Sequence, residues 1–236
     1  MSTKKDVREI EIKLSVGPLD LDKLVFGFES LGLQMIRDEY YDSSSFWLTK
    51  KDVWLRKRTD SDGVRFEMKM GSAYNKTSSD VTDHEEVLDP SRIAKFLGIP
   101  VSRLSDDGLR ENGYVSFCSC LTSRSRWKNG VFTIDIDEAV FEGYPNFSFP
   151  VVEIEVESDD PKIAGKLVKD LFFERGVNFK LLSLGKIHEF LRLHRPEHFR
   201  VLLEVGVVKT GDSQLDDVFI LMRKEQEELG FHGNFI

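Results

Sequence analysis

The stretch EIEIK at residues 9–13 puts a charged side chain at every second position of an otherwise apolar segment, and the same alternation returns repeatedly along the chain. Successive side chains of a β-strand point to opposite faces. Glu9, Glu11 and Lys13 therefore share one face, while Ile10, Ile12 and Leu14 share the other. Trp54, Arg56 and Arg58 repeat the pattern in DVWLRKR, as do Arg65, Glu67 and Lys69 in VRFEMK. Carboxylates follow in VFTIDID, where Asp135 and Asp137 alternate with Ile134 and Ile136, and in PVVEIEVE, where Glu153, Glu155 and Glu157 alternate with Val152, Ile154 and Val156. One such strand alone reads as a solvated edge. A set of them, with individual strands segregated into acidic or basic rows, predicts an apolar face on a core and a charged face that binds a ligand.

The remaining segments supply helices and turns. Gly17 and Pro18 break the first strand, and Leu21, Leu24, Phe28 and Leu31 then recur at helical spacing until Gly32. QMIRDEYYDSSSFWL reads as a strand whose Tyr40 and Tyr41 face opposite ways, so that Tyr41 is core if Tyr40 enters the site. Residues 52–58 and 64–70 form a hairpin through Asp62-Gly63, residues 71–80 a loop, and HEEV at 84–87 a short strand bearing Glu86. Asp89 and Pro90 open a helix closed by Gly98. Residues 114–128 form a strand that turns at Asn129-Gly130 into the Asp135 strand, and FEGYPNFSFP reads as a loop before the Glu153 strand. A helix opens at Asp160-Pro161 and ends at Gly176, and a helical segment from Lys186 is interrupted at Pro196. Residues 1–205 read as one domain and 206–236 as an extension, a linker followed by an amphipathic helix through Leu215, Val218, Phe219, Met222 and Leu229. Many strands with few long helices indicate a β-rich α+β fold.

Composition narrows the ligand. The net charge of -8 argues against nucleic acid or a membrane surface as a partner, so any anion must be held by a local basic cluster. The N-terminus has no apolar leader and no run is long enough to span a membrane, which predicts a soluble, cytoplasmic protein. Cys118 and Cys120, two apart on a strand, read as reduced thiols that could face the site near Arg124. Lys13, Arg56, Arg58, Lys69, Arg124 and Lys186 suit a polyanion such as a triphosphate, since arginine forks bind phosphate oxygens bidentately. Glu9, Glu11, Glu86, Asp135, Glu153 and Glu155 would repel it unless a hard divalent cation such as Mg²⁺ bridged the two. Uncompensated charges are too costly to bury in an apolar interior, so they require a wet cavity such as a charged-lined barrel.

EIEIK resembles the ExExK signature of the CYTH superfamily, the triphosphate tunnel metalloenzymes. The likeness runs on through RDEYYD, WLRKR, FEMK, SRSRWK, IDID, EIEVE, GKIHEFLRLHRP and LLEV, across residues 9–205. Trp54, the Tyr40-Tyr41 pair and the RPEHFRVLLEV ending are most similar to the animal thiamine triphosphatases of that superfamily. The resemblance implies an eight-stranded antiparallel β-barrel, a triphosphate tunnel with helices packed outside. It implies Mg²⁺-dependent hydrolysis of thiamine triphosphate to thiamine diphosphate and phosphate, with Mn²⁺ able to substitute. Arg56, Arg58, Lys69, Arg124 and Lys186 match the phosphate-binding positions. Glu9, Glu11, Asp135, Glu153 and Glu155 match the metal-side carboxylates, with Glu86 and Asp137 as further acidic positions. Lys13 and Tyr40 match the pair near the leaving group, and Trp54 the position that stacks on the thiamine ring.

Alternatives accompany each of these. An inorganic triphosphatase shares the phosphate and metal sites without needing Trp54, and a non-hydrolytic triphosphate-binding module needs only the basic row. Asp135 and Asp137 share a face and could exchange roles, Glu157 reads as solvated rim, and Arg126 as a residue of the mouth or the partner of a carboxylate. Trp47 and Trp127 read as packed residues, and His194 and His198 as a charged helix surface rather than a metal pair. The expected assembly is a monomer, with dimerisation through the C-terminal helix as the alternative. The apolar stripe of residues 206–236 predicts packing on the outside of the sheet.

Overall fold

The computed structural model describes residues 8–71, 85–158, 161–182 and 184–208. Its centre is one antiparallel sheet built from β1 (Arg8–Val16), β2 (Glu29–Ser43), β3 (Val53–Asp60), β4 (Gly63–Met70), β5 (Glu85–Val87), β6 (Tyr114–Asn129), β7 (Phe132–Phe141), β8 (Tyr144–Ser158) and β9 (Phe179–Leu181). They lie in the order β5-β4-β3-β2-β6-β7-β8-β1-β9. The helices are α1 (Pro18–Val25), α2 (Pro90–Leu97), α3 (Asp106–Glu111), α4 (Pro161–Arg175), α5 (Lys186–His194) and α6 (Pro196–Glu204). Local signals act as their chemistry requires. The Asp89 carboxylate accepts a 2.9 Å hydrogen bond from the Ser91 amide with Pro90 in the first turn, and Gly98 closes α2 in the left-handed conformation.

Strand alternation divides the molecule into layers. On one face of the sheet Ile12, Leu14, Ile134, Val152, Ile154 and Val156 pack with Leu24 of α1 and Ala164, Val168 and Phe172 of α4. Farther along the same face Tyr41, Val53, Leu55, Met68 and Val87 pack with Ile93, Ala94 and Leu97 of α2 and Leu109 of α3. The opposite face changes character along its length. At one end Tyr40, Trp54, Cys118, Cys120, Phe141, Phe149 and Val151 are covered by Ile187, Phe190 and Leu191 of α5 and Phe199 and Leu202 of α6. Beyond that apolar cap the face carries the ionisable residues.

Four expectations are corrected. The sheet has nine strands rather than eight, and among the described residues no ladder joins β5 to β9, so it is open rather than a closed barrel. Both edge strands are three residues long, and among the described residues β5 forms a ladder only with β4 and β9 only with β1. The first helix ends at Val25 because Gly27 turns the chain in a left-handed conformation, so Phe28 reaches the core from the turn and Leu31 belongs to β2. The loop expected between the Asp135 and Glu153 strands shrinks to a turn at Glu142 and Gly143, since Phe141 and Phe149 are buried under α5 and extend both strands. His198 is an interior residue, 3% exposed, rather than part of a helix surface. The expected 71–80 loop lies almost wholly outside the described residues, as do the amphipathic helix and most of the linker of 206–236. Among the described residues no helix is long and apolar enough to cross a membrane.

Candidate functional site

The charged face is assembled by register. Across β3 and β4, Arg56 pairs with Glu67, Arg58 with Arg65 and Trp54 with Lys69, and Lys69 in turn pairs with Glu86 of β5. Across β2 and β3, Tyr40 meets Arg56 and Asp38 meets Arg58. In the other half Arg124 meets Asp137 and Arg126 meets Asp135 across β6 and β7. Asp135 then meets Glu153 across β7 and β8, and Glu153 meets Lys13 across β8 and β1. Strands far apart in sequence thus place their alternate residues in one field. The two halves form two ion-pair clusters with Lys186, at the start of α5, inserted into the first.

The first cluster is centred on Asp38, which has no exposed surface. Arg58 donates to it from Nε at 2.7 Å and Nη2 at 2.8 Å, while Lys186 Nζ lies 3.6 Å and Arg56 Nη1 3.9 Å from its Oδ2. Burial pushes the Asp38 carboxyl upward, but these cations outweigh it and hold the group well below the usual carboxylate range. Glu67, also buried, receives Arg56 Nε at 2.7 Å and Arg65 Nε at 2.7 Å. Lys186 further donates to Thr122 Oγ1 at 3.0 Å. The Tyr40 hydroxyl, buried beside Arg56, has its proton held more tightly than in water because burial and Asp38 disfavour the phenolate. At neutral pH Tyr40 is therefore a neutral phenol, whose oxygen accepts from Arg56. Trp54, 8% exposed, donates from Nε1 to Asp52 Oδ1 at 2.9 Å and meets the His188 ring edge-on, with centroids 4.8 Å apart.

The second cluster is organised by arginines. Arg124 donates from Nε and Nη2 to Asp137 at 2.7 and 2.6 Å, lies 2.6 Å from Asp135 through Nη1, and reaches Glu153 at 3.0 Å. Arg126 grips Asp135 at 2.7 and 2.6 Å. Asp135 and Asp137 are 1–2% exposed, and Lys13 Nζ stands 3.8 Å from Glu153. Burial disfavours the charge of Arg124, yet the three carboxylates keep its proton bound more firmly than usual. Cys118 and Cys120 are buried free thiols under α5 and α6, and burial raises both above the ordinary thiol range.

The expected site residues divide accordingly. Arg56, Arg58, Lys186, Tyr40 and Trp54 share one cluster and Lys13, Arg124, Asp135, Asp137 and Glu153 the other. Lys69 lies opposite Trp54 and Glu86, and Glu86 is half exposed, 3.8 Å from Arg56. On β1, Glu11 stands opposite Glu155 and Glu9 opposite Glu157 in register. Arg126 binds a carboxylate, one of its two expected roles. Two buried members were given no site role in the sequence reading, Asp38 and Glu67, although Glu67 was placed on the charged row. Their signal was parity: Asp38 alternates with Tyr40 in RDEYYD, and Glu67 sits between Arg65 and Lys69 on one row.

Among the described residues no three carboxylate, imidazole or thiol groups converge as a ready metal cage. The donor chemistry nonetheless fits a hard cation along β1 and β8, where the register sets Glu9 and Glu11 against Glu157 and Glu155. Directly opposed like charges are destabilising, and a bound divalent cation offsets that repulsion.

The CYTH domain family matches residues 7–184. The chain belongs to the CYTH family. Among curated relatives it is 26% identical over 230 residues to a thiamine-triphosphatase of Macaca fascicularis, covering 89% of this chain and 95% of that protein. Its similarity to a thiamine-triphosphatase of Homo sapiens is 26% over 226 residues, with the same coverage. Among solved structures, a Pyrococcus horikoshii protein superposes with a TM-score of 0.55 at 21% identity, covering 79% of this chain and 100% of that one. A Hippeastrum protein, described as a putative adenylyl cyclase with a dominant triphosphatase activity, superposes with a TM-score of 0.51 at 20% identity, covering 79% and 96%. These solved neighbours bear on the fold, an antiparallel sheet with packed helices.

Proposed function

We propose that this CYTH protein is a hydrolase of phosphoanhydride bonds that cleaves the terminal phosphate of a small-molecule triphosphate, with thiamine triphosphate as its preferred substrate. The observation that carries the reading is the gathering of Arg56, Arg58 and Lys186 on one sheet face, each less than a fifth exposed and each fixed by a buried partner. Cations held in this way meet phosphate oxygens without reorganising, which is how electrostatic preorganisation lowers a barrier. Arg124 and Lys69 extend the basic surface on either side. Lys13 stands ready to stabilise or protonate the leaving oxygen, and the protonated Tyr40 hydroxyl beside Arg56 has a proton to offer.

Metal dependence is general among the triphosphate tunnel enzymes of this family. In this chain Glu9, Glu11, Asp135, Glu153 and Glu155 are the carboxylates that would hold Mg²⁺ or Mn²⁺, Asp135 and Asp137 also aligning the arginines beside them. When bound, such a cation supplies Lewis acidity and an acidified water. The free thiols of Cys118 and Cys120 support a reducing, cytoplasmic setting.

The names of the curated relatives and the position of Trp54 beside Arg56 support thiamine triphosphate. One observation favours inorganic tripolyphosphate instead: Trp54 is nearly buried, with its indole nitrogen engaged by Asp52 and its ring against His188. Phosphate release from thiamine triphosphate, tripolyphosphate and ATP, measured in parallel with Mg²⁺ and with chelator, separates the two. A higher kcat/KM for thiamine triphosphate that vanishes with chelator is expected. A higher value for tripolyphosphate transfers the proposal to an inorganic triphosphatase, and binding without turnover refutes hydrolysis in favour of a binding module.

A further inference from the structure

Asp38, a carboxylate on the charged face without exposed surface, gathers three cations: Arg58 bidentately, Arg56 from the same strand as Arg58, and Lys186 from the start of α5. It sits behind these groups, so a triphosphate arriving from solvent meets the cations and not the carboxylate. Arg58 turns its Nε and Nη2 edge inward to Asp38, while its Nη1 lies 3.7 Å from Glu67. Lys186 is held from a second side by Thr122, itself fully buried. A buried ion pair is poor evidence of a gain in stability, because apolar residues of similar volume often serve as well. What such a pair does secure is geometry: without Asp38, like charges on Arg56, Arg58 and Lys186 would repel one another and splay.

Resting on the triphosphate reading above, we infer that Asp38 is a positioning residue that fixes Arg58 and Lys186 for the transferred phosphate while weakening ground-state attraction for the anion. Its negative charge opposes the incoming triphosphate, and its fixed geometry aligns the cations with charge that develops during transfer. Removing the charge therefore moves binding and turnover in opposite directions, which a purely structural role would not do.

The test is Asp38→Asn, close to isosteric, compared with the unaltered protein by tripolyphosphate calorimetry under chelator and by kcat and KM with Mg²⁺. Thermal unfolding checks that the variant folds. The expected result is tighter tripolyphosphate binding with kcat lower by roughly tenfold or more, the scale on which misplaced groups act; unchanged or weaker binding overturns the inference. Unchanged kcat, or a kcat loss that only follows a reduced folded fraction, overturns the inference. If Asp38→Asn does not fold, Asp38→Glu keeps the charge and displaces the carboxylate. A reduced kcat with retained binding then supports the inference, and normal kcat refutes it. If the unaltered protein neither binds nor cleaves tripolyphosphate or thiamine triphosphate, the triphosphate reading itself falls; if it does both and the variants match it, only the role of Asp38 falls.

Discussion

Acidification unlocks the α6 end of this protein through His198. The ring is 3% exposed, stacks on Phe46 with centroids 4.0 Å apart, and places Nε2 2.7 Å from Thr49 Oγ1. Thr49 Oγ1 also lies 2.6 Å from Asp42 Oδ2, an acceptor only, so the threonine proton goes to Asp42 and His198 donates from Nε2–H. Burial, with Arg195 and Lys50 adding to it and Asp42 opposing, lowers the imidazole from 6.5 to about 4. Because the folded value lies below the unfolded one, the unfolded chain binds the extra proton between them. The stabilising contribution is complete above about pH 6.5 and is lost as pH falls toward about 4. That interval corresponds to about 3 kcal/mol, a large share of a typical folding free energy. Urea unfolding of the unaltered protein and of His198→Gln, which keeps a donor but does not titrate, measures it between pH 7 and 4. The stability difference between the two should shrink by about that amount as the pH falls, while contributions from carboxylates common to both cancel. Parallel pH profiles would refute the reasoning.

Further outcomes follow from the same contacts. Arg124→Ala strands the nearly buried Asp137, while Arg126 still holds Asp135, and should cost about 3–5 kcal/mol in denaturant unfolding; a loss under 1 kcal/mol, the scale of an exposed pair, would mean the cluster is solvated. Trp54→Ala should raise KM for thiamine triphosphate and leave tripolyphosphate turnover nearly unchanged; equal effects on both would remove Trp54 from specificity. Glu155→Gln should abolish Mg²⁺-dependent turnover with the fold intact by circular dichroism, and full activity would take the acidic row out of metal binding. A thiol-specific reagent should leave Cys118 and Cys120 unlabelled in the native protein and label both in denaturant, since each is buried and its thiolate disfavoured.

The alternation of EIEIK, WLRKR, FEMK, IDID and EIEVE carried most of the sheet, because period-two patterning with one apolar face leaves little choice of register. It also placed Lys13, Arg56, Arg58, Arg124, Asp135 and Glu153 on one face. Closure was not legible: whether a barrel forms depends on edge strands, and β5 and β9 are three-residue ladders with no pattern of their own. Nor was the fate of His198, since the helical spacing that sets it four residues from His194 does not tell which face of α6 meets Thr49. The apolar cap of α5 and α6 was hidden for the same reason, and with it the burial of both cysteines.

Reading segregated charge rows as a surface waiting for a ligand omitted the protein's own contribution to neutrality. The sheet order sets acidic strands beside basic ones, so Arg124 and Arg126 meet Asp135 and Asp137, while Asp38 and Glu67 meet the arginines of β3 and β4. A face of unpaired arginines would be costly to fold and would collapse onto any anion; a face fully neutralised would bind none. The intermediate arrangement here leaves the cations fixed by partners behind them and exposed at one edge. At the other end, the register of β1 and β8 sets Glu11 beside Glu155 and Glu9 beside Glu157, with Lys128 3.3 Å from Glu157. Here the register gathers carboxylates in adjacent positions, where β6 and β7 set arginines against aspartates. A divalent cation arriving with a triphosphate would bind oxygen ligands of this carboxylate row and of the phosphates together, which ties occupancy of the carboxylate end to occupancy of the basic one. The coupling is reciprocal: tripolyphosphate should tighten Mn²⁺ binding by the same factor by which Mn²⁺ tightens tripolyphosphate, and calorimetric titrations in both orders check it. Independent binding of the two ions would place the metal away from the triphosphate and refute a shared site.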